Sequence, residues 1–138
     1  MIGPKQAPLS NADQKRASSA AYELVQRRSG GRCEGCGRKP ATEMHHRLYR
    51  SQGGPDDVQN LLHLCGRGNT SGCHGIAHTG PGREAGWSVN AWATFAEVPV
   101  NYRLGGLVHL LDHVDEESKG IRPIDAAGGN YVKGVLSR

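Results

Sequence analysis

Between Cys33 and His78 the chain gathers all four of its cysteines and five of its seven histidines. They fall into four short groups: Cys33-Glu-Gly-Cys36, Glu43-Met-His45-His46-Arg47, Asn60-Leu-Leu-His63-Leu-Cys65 and Cys73-His74-Gly-Ile-Ala-His78. Thiolates and imidazoles are the ligands that zinc and its neighbours in the first transition row prefer, so the chemistry to expect is metal chemistry. Two sets interleave. Cys33, Cys36, Cys65 and Cys73 make a four-thiolate set suited to a closed structural zinc site. His45, His74 and His78 make an imidazole set suited to an open site with exchangeable positions.

The spacing supports these assignments unequally. Two thiolates separated by two residues close readily on one ion, and Gly35 and Gly37 permit the tight turn. Such a pair can also be a redox couple, but the second pair favours zinc. Cys65 and Cys73 are separated by seven residues, wider than the common two to four, yet nearly all of them are turn formers and can loop out. His63 stands as an alternative ligand for either late cysteine. His74 and His78 lie four apart and share a helix face, with about 5–6 Å between Cβ atoms. His45 and His46 are adjacent, so on a regular strand only one of them faces the other ligands. Glu43 shares the face of His45, where it orients an arginine such as Arg32 or a ligand, or is simply solvated. Asp56 and Asp57 read as solvated turn residues, whereas Arg38, Lys39, Arg47, Arg50 and Arg67 are candidate phosphate contacts, each of which taken singly is more often an ordinary surface charge.

The elements that must position these groups are short. Thr42 to Leu48 reads as a strand, Tyr49 to Asp57 as a loop with Gly53-Gly54-Pro55 at its tip, and Leu61 to Leu64 as a second strand. A short helix follows from Cys73 to about Thr79, ended by Gly80-Pro81. Upstream, Ser10-Asn-Ala-Asp13 resembles a helix start, and apolar recurrence through Val25 up to Gly30-Gly31 predicts a helix over about 12–29. Its role is to pack over the core or to lay Lys15, Arg16, Arg27 and Arg28 along a phosphate backbone. Downstream, Trp87, Val89, Trp92 and Phe95 suggest an amphipathic cover. Leu104 to Val114 and Ile121 to Ile124 suggest two strands joined by an acidic turn at Asp115-Glu-Glu117, with His109 and His113 as strand residues rather than ligands. Residues 1–9 and the stretch from Gly128-Gly129 to the end read as loose.

At 138 residues, with 5% aromatics and 20 glycines, the chain suits one domain with a small centre that a metal staple helps to fold. A formal charge of +4 and a pI near 9.0 favour an anionic partner without requiring one. The first ten residues carry no apolar run like that of a signal peptide, and the longest apolar stretch is too short to span a bilayer, so a soluble, cytoplasmic protein is expected, with zinc rather than disulfides.

Taken together, Cys-x2-Cys, Glu-x-His-His, a Gly-Gly loop, Asn-Leu-x-x-Leu-Cys and Cys-His-x3-His occur in the order seen in the HNH endonucleases of the ββα-metal (His-Me finger) superfamily, which the chain resembles over about residues 32–78, including phage and prophage members from actinobacteria. The resemblance implies an α+β fold with a small ββα-metal core, a hairpin plus a short helix, stapled by a four-cysteine zinc site. Residues 1–31 would be an N-terminal arm and helix, 32–80 the nuclease core, and 81–138 a loop-rich C-terminal extension packing on it. It implies that His45, His74 and His78 bind one catalytic divalent cation (Mg²⁺, Mn²⁺, Ni²⁺ or Zn²⁺), that His46 is the general base, and that Asn60 holds the base-bearing segment in place. Glu43, Arg32 and Arg47 would support the site or touch phosphate. The expected partner is DNA, cut to a 5′-phosphate and a 3′-hydroxyl without an organic cofactor or a membrane. A phage setting would add the host cytoplasm and a packaging protein such as a terminase. The wide Cys65–Cys73 spacing departs from the family pattern. Two rival readings are a zinc-stabilised module that binds nucleic acid or a packaging partner without cutting, and a zinc hydrolase acting on RNA or on non-phosphoryl substrates.

Overall fold

The computed structural model describes residues 10–124. Its first element, α1 (Asn11–Ser29), is capped at both ends by local chemistry. Ser10 Oγ accepts from the Asp13 N–H at 3.1 Å, Arg27 and Arg28 occupy the last turn, and Gly30 ends the helix at φ 63°, its N–H bonded to the Gln26 carbonyl. The buried face carries Ala21 and Val25, which pack with Val58 and Leu61.

The centre is an antiparallel hairpin of β1 (Glu43–His46) and β2 (Leu61–Leu64), in which Glu43 faces Leu64 and His46 faces Leu61. Both of its faces are covered, which explains the near-continuous apolar run of β2. The Met44 and Leu61 side lies beneath α1, and the Leu62 and Leu64 side packs with Cys33, Ala77 and Trp87. β1 is shorter than the strand expected over 42–48 because Arg47 and Leu48 turn their N–H groups onto Asn60, at its backbone and side-chain oxygens.

After β2 come α2 (Gly72–Ala77) and α3 (Gly80–Glu84). Gly80-Pro81 therefore begins a helix as well as following one, since proline in a first turn forfeits no intrahelical bond. A three-stranded antiparallel sheet follows, in the order β3 (Val100–Asn101), β4 (Leu107–Leu110), β5 (Ile121–Pro123). β4 and β5 fall inside the two expected strands; the two-residue β3 is too short to leave a pattern in the sequence. Val100, Tyr102, Val108 and Leu110 join Cys33, Leu64 and Trp87 in the larger apolar cluster, so this sheet packs on the sulfur-rich end of the hairpin.

The amphipathic cover expected from Trp87 to Phe95 is not a regular element. Trp87 and Val89 are buried, but Trp92 is 84% exposed. The backbone here is drawn to the rest of the core and closes only a local turn: the Val89 N–H donates to the Arg47 carbonyl, the Trp87 carbonyl accepts from a histidine ring, and the Ala93 N–H donates to the Asn90 carbonyl. His109 sits in β4, whereas His113 is exposed, outside a strand, and bonded to Asp112. The expected loose ends at 1–9 and 128–138 lie outside the described residues.

Candidate metal centre

The four sulfur atoms of Cys33, Cys36, Cys65 and Cys73 all lie within 4.8 Å of one another. Backbone N–H groups point at them: those of Gly35, Cys36 and Cys65 lie 3.3–3.4 Å from Cys33 Sγ, that of Arg38 3.4 Å from Cys36 Sγ, and that of Cys73 3.4 Å from Cys65 Sγ. Donors aimed at sulfur favour the thiolate form. A hydrogen bond from the Cys73 thiol holds Cys33 well below the usual thiol range, Cys73 is pushed up in turn, and burial raises Cys65. Four soft donors arranged this way, without disulfides, fit a structural zinc ion.

The wide Cys65–Cys73 spacing closes by a local device. The insert leaves and returns through Gly66 and Gly72, both at positive φ, whose backbones pass so closely that a Cβ on Gly72 would lie 2.5 Å from Gly66 Cα. The intervening turn loops out and the two sulfurs are left adjacent. His63 takes no part in the cluster; its Nδ1 is bonded to Ser29 Oγ at 2.8 Å.

A second cluster forms on the α2 side of the hairpin. His45 from β1, His74 from α2 and His78 at its C-cap bring one ring nitrogen each within 4.8 Å of the others. Ring centroids are 4.8–5.3 Å apart. The second ring nitrogen of two of them is already engaged. His45 Nε2 donates to the Trp87 carbonyl at 2.7 Å, and His74 Nδ1 donates to Glu43 Oε1 at 2.8 Å. These bonds fix the tautomers and leave His45 Nδ1 and His74 Nε2 with lone pairs for a cation. Burial, reinforced by the neighbouring histidines, lowers His45 to about 3, so its ring is neutral near pH 7, as a ligand must be. His78 is lowered for the same reasons and packs against the Tyr49 ring at 5.2 Å. Glu43 also accepts from the Gly68 N–H at 2.5 Å, which ties the sulfur-site insert to the imidazole site. Its carboxyl is held low first by the His74 bond.

His46 points to the other face of β1, as the alternation of a regular strand requires. It is only partly exposed, and its Nε2 donates to Asp56 Oδ1 at 2.6 Å. Asp56 is thus not the solvated turn residue that its neighbourhood suggests, because Ser18 of α1 and Arg50 also bond to it. Burial works to raise its pKa, but the bonds from Ser18, His46 and Arg50 bring it below the usual carboxylate value. Asn60 is fully buried; its Oδ1 accepts from the Leu48 N–H at 2.8 Å, and its Nδ2 donates to the carbonyls of Leu48 and Pro55.

Three arginines differ from expectation. Arg47, a candidate phosphate contact, is fully buried and donates to the carbonyls of Gly86, Gln59, Phe95 and Val98, so it supports the site from within and is not available to a phosphate. Arg28, considered for the same task on α1, is buried against Glu34. Arg32 donates to the Gly37 carbonyl and has no bond to Glu43, which holds a histidine instead. Arg38, Lys39, Arg50 and Arg67 are exposed. Sequence reasoning missed Ser18, Tyr49 and the Trp87 carbonyl; nothing in residue type signals a backbone oxygen.

A two-stranded hairpin and a short helix thus bring three imidazoles together beside a four-thiolate cluster, a small α+β arrangement in which each cluster could hold a metal ion. Consistent with this, residues 33–79 match a family model described as HNH endonuclease. Comparison with curated proteins gave no match, and comparison with solved structures gave none. Among the described residues, no helix is long and apolar enough to cross a membrane.

Proposed function

We propose that the chain is a metal-dependent endonuclease that hydrolyses DNA phosphodiester bonds to 5′-phosphate and 3′-hydroxyl ends, with residues 32–80 as its nuclease core. The observation that carries this reading is the convergence of His45, His74 and His78, with His46 one residue away and unligated, inside the segment that matches the HNH endonuclease model.

In this reading His45, His74 and His78 hold the catalytic divalent ion, and Cys33, Cys36, Cys65 and Cys73 hold a structural zinc. When bound, the ion supplies stabilisation of negative charge on the phosphate and on the leaving 3′-oxygen. His46, as a neutral imidazole, accepts a proton from the attacking water. Asn60 fixes the turn that follows His46 by clamping Leu48 and Pro55. Glu43 keeps His74 in its ligating orientation. Arg38, Lys39, Arg50 and Arg67 are left to meet the backbone of the nucleic acid, and binding through several of them should weaken steeply with salt. Three neutral nitrogen ligands bind zinc or nickel more tightly than magnesium or manganese, so the working ion follows from which one supports turnover.

The test is nicking of supercoiled plasmid by the purified protein with Mg²⁺, Mn²⁺, Ni²⁺ or Zn²⁺. Cutting that is lost in His46→Ala, together with a second metal equivalent that is lost in His74→Ala, is the expected result. One ion per chain and no cutting with any metal would point instead to a zinc-stabilised binding module.

A further inference from the structure

We infer that Asp56 is the positioning residue of the reaction, orienting His46 through its Nε2–H so that Nδ1 is the nitrogen that meets water; this rests on the nuclease reading and deepens it.

The geometry is that of a built contact. Asp56 Oδ1 accepts from His46 Nε2 at 2.6 Å and from Arg50 at 3.3 Å, while Oδ2 accepts from Ser18 Oγ at 2.5 Å. The carboxylate is thereby held from β1, from the loop and from α1 at once, and its side chain is only 21% exposed. A turn residue that merely faced solvent would meet these needs with water.

The backbone that presents it is equally fixed. Pro55, directly before Asp56, gives its carbonyl to the buried Asn60 amide at 3.0 Å. Gly54 packs so tightly that a Cβ there would lie 1.7 Å from the Leu48 carbonyl oxygen. Immediately after, Asp57 caps the following turn by accepting from the Gln59 N–H at 2.8 Å. The loop between the strands is therefore a rigid arm that ends on the base, and orientation held in advance is what makes a base effective.

A carboxylate cannot donate to Nε2, so the ring must carry its proton there and leave the Nδ1 lone pair available. In the step this serves, the water oxygen bonds to phosphorus as the bond to the 3′-oxygen breaks. The water proton passes to Nδ1, the departing oxygen takes a proton from solvent, and Asp56 remains ionised beside the imidazolium. This is the logic of an acid-oriented histidine base.

The experiment is steady-state nicking kinetics of Asp56→Ala, Asp56→Asn and Asp56→Glu beside His46→Ala and the Asp56→Ala/His46→Ala double variant, with metal content measured for each. The inference expects kcat to fall on the order of 10²-fold in the Ala and Asn variants, KM and both metal equivalents to be retained, Glu to recover part of the loss, and the double variant to be no slower than His46→Ala. Wild-type or faster cutting by Asp56→Ala while His46→Ala is inactive would overturn the inference and leave the nuclease reading standing. A loss that appears in KM or metal content, or that adds to the His46→Ala loss, would reduce Asp56 to a structural role. Full activity in His46→Ala would remove the base and, with it, the residue proposed to position it.

Discussion

Arg28 and Glu34 face each other with neither side chain exposed, Nε to Oε2 at 2.6 Å and Nη2 to Oε1 at 3.0 Å. The pair is completed by further bonds: Arg28 donates to the carbonyls of Val58 and Leu61, and Glu34 accepts from the Tyr102 hydroxyl and the His63 N–H. It thus joins the end of α1, the cysteine turn, the start of β2 and the C-terminal sheet at one point.

Breaking that pair on one side leaves a buried charge without a partner. Arg28→Met or Glu34→Gln should cost about 3–5 kcal/mol of stability. Urea denaturation at fixed zinc will check this, and Arg28→Met combined with Glu34→Leu should be less damaging than Arg28→Met alone.

Gly72 sits at φ 64° with its backbone against Gly66, where a side chain has no room. Gly72→Ala should open the neck of the insert and separate Cys65 from Cys73. The expected readout is loss of the tightly held zinc equivalent, measured by atomic emission, with folding then dependent on added zinc.

Glu43 orients His74 without being placed in the ligand set. Glu43→Gln should weaken divalent-ion binding at the imidazole site by about 10–100-fold while leaving zinc at the sulfur site. Calorimetric titration of the zinc-loaded protein with Mn²⁺ or Ni²⁺ separates the two, and equal loss at both sites would contradict the assignment.

His109 is lowered by burial and, secondarily, by the nearby Arg122 and Arg47 charges. Below the ordinary histidine value of about 6.5 the unfolded chain takes up a proton that the native ring resists. Its contribution to stability is therefore whole above that value and declines as the pH falls through and beneath it. His109→Gln should flatten the fall in urea midpoint between pH 7.5 and pH 5.5, and an unchanged slope would refute this.

How much of this was legible in the chain divides along the range of the interactions. The helix over Asn11–Ser29, the strand Leu61–Leu64 and the pairing of Cys33 with Cys36 were all readable, because a capping hydroxyl, helical recurrence and a two-residue thiolate spacing act between near neighbours. The same holds for the nearness of His74 in α2 to His78 at its C-cap and for the opposed faces of His45 and His46. Arg47 was open to misreading, because a guanidinium beside a metal motif has the same letters whether it meets phosphate or four carbonyls from later in the chain. Asp56 was open to the same error, because Gly-Gly-Pro-Asp-Asp spells a turn equally well with or without Ser18 of α1 folded back onto it.

By itself, then, the sequence determined the ligand types, their local spacings and the elements that carry them, since these follow from side-chain chemistry and backbone period. Which face of the hairpin meets α1, how Gly66 and Gly72 bring distant sulfurs together, and which histidine nitrogens are left open follow from the folded chain alone. Those outcomes depend on backbone groups and on residues far apart in the chain, and they exist only once both faces of the hairpin are covered.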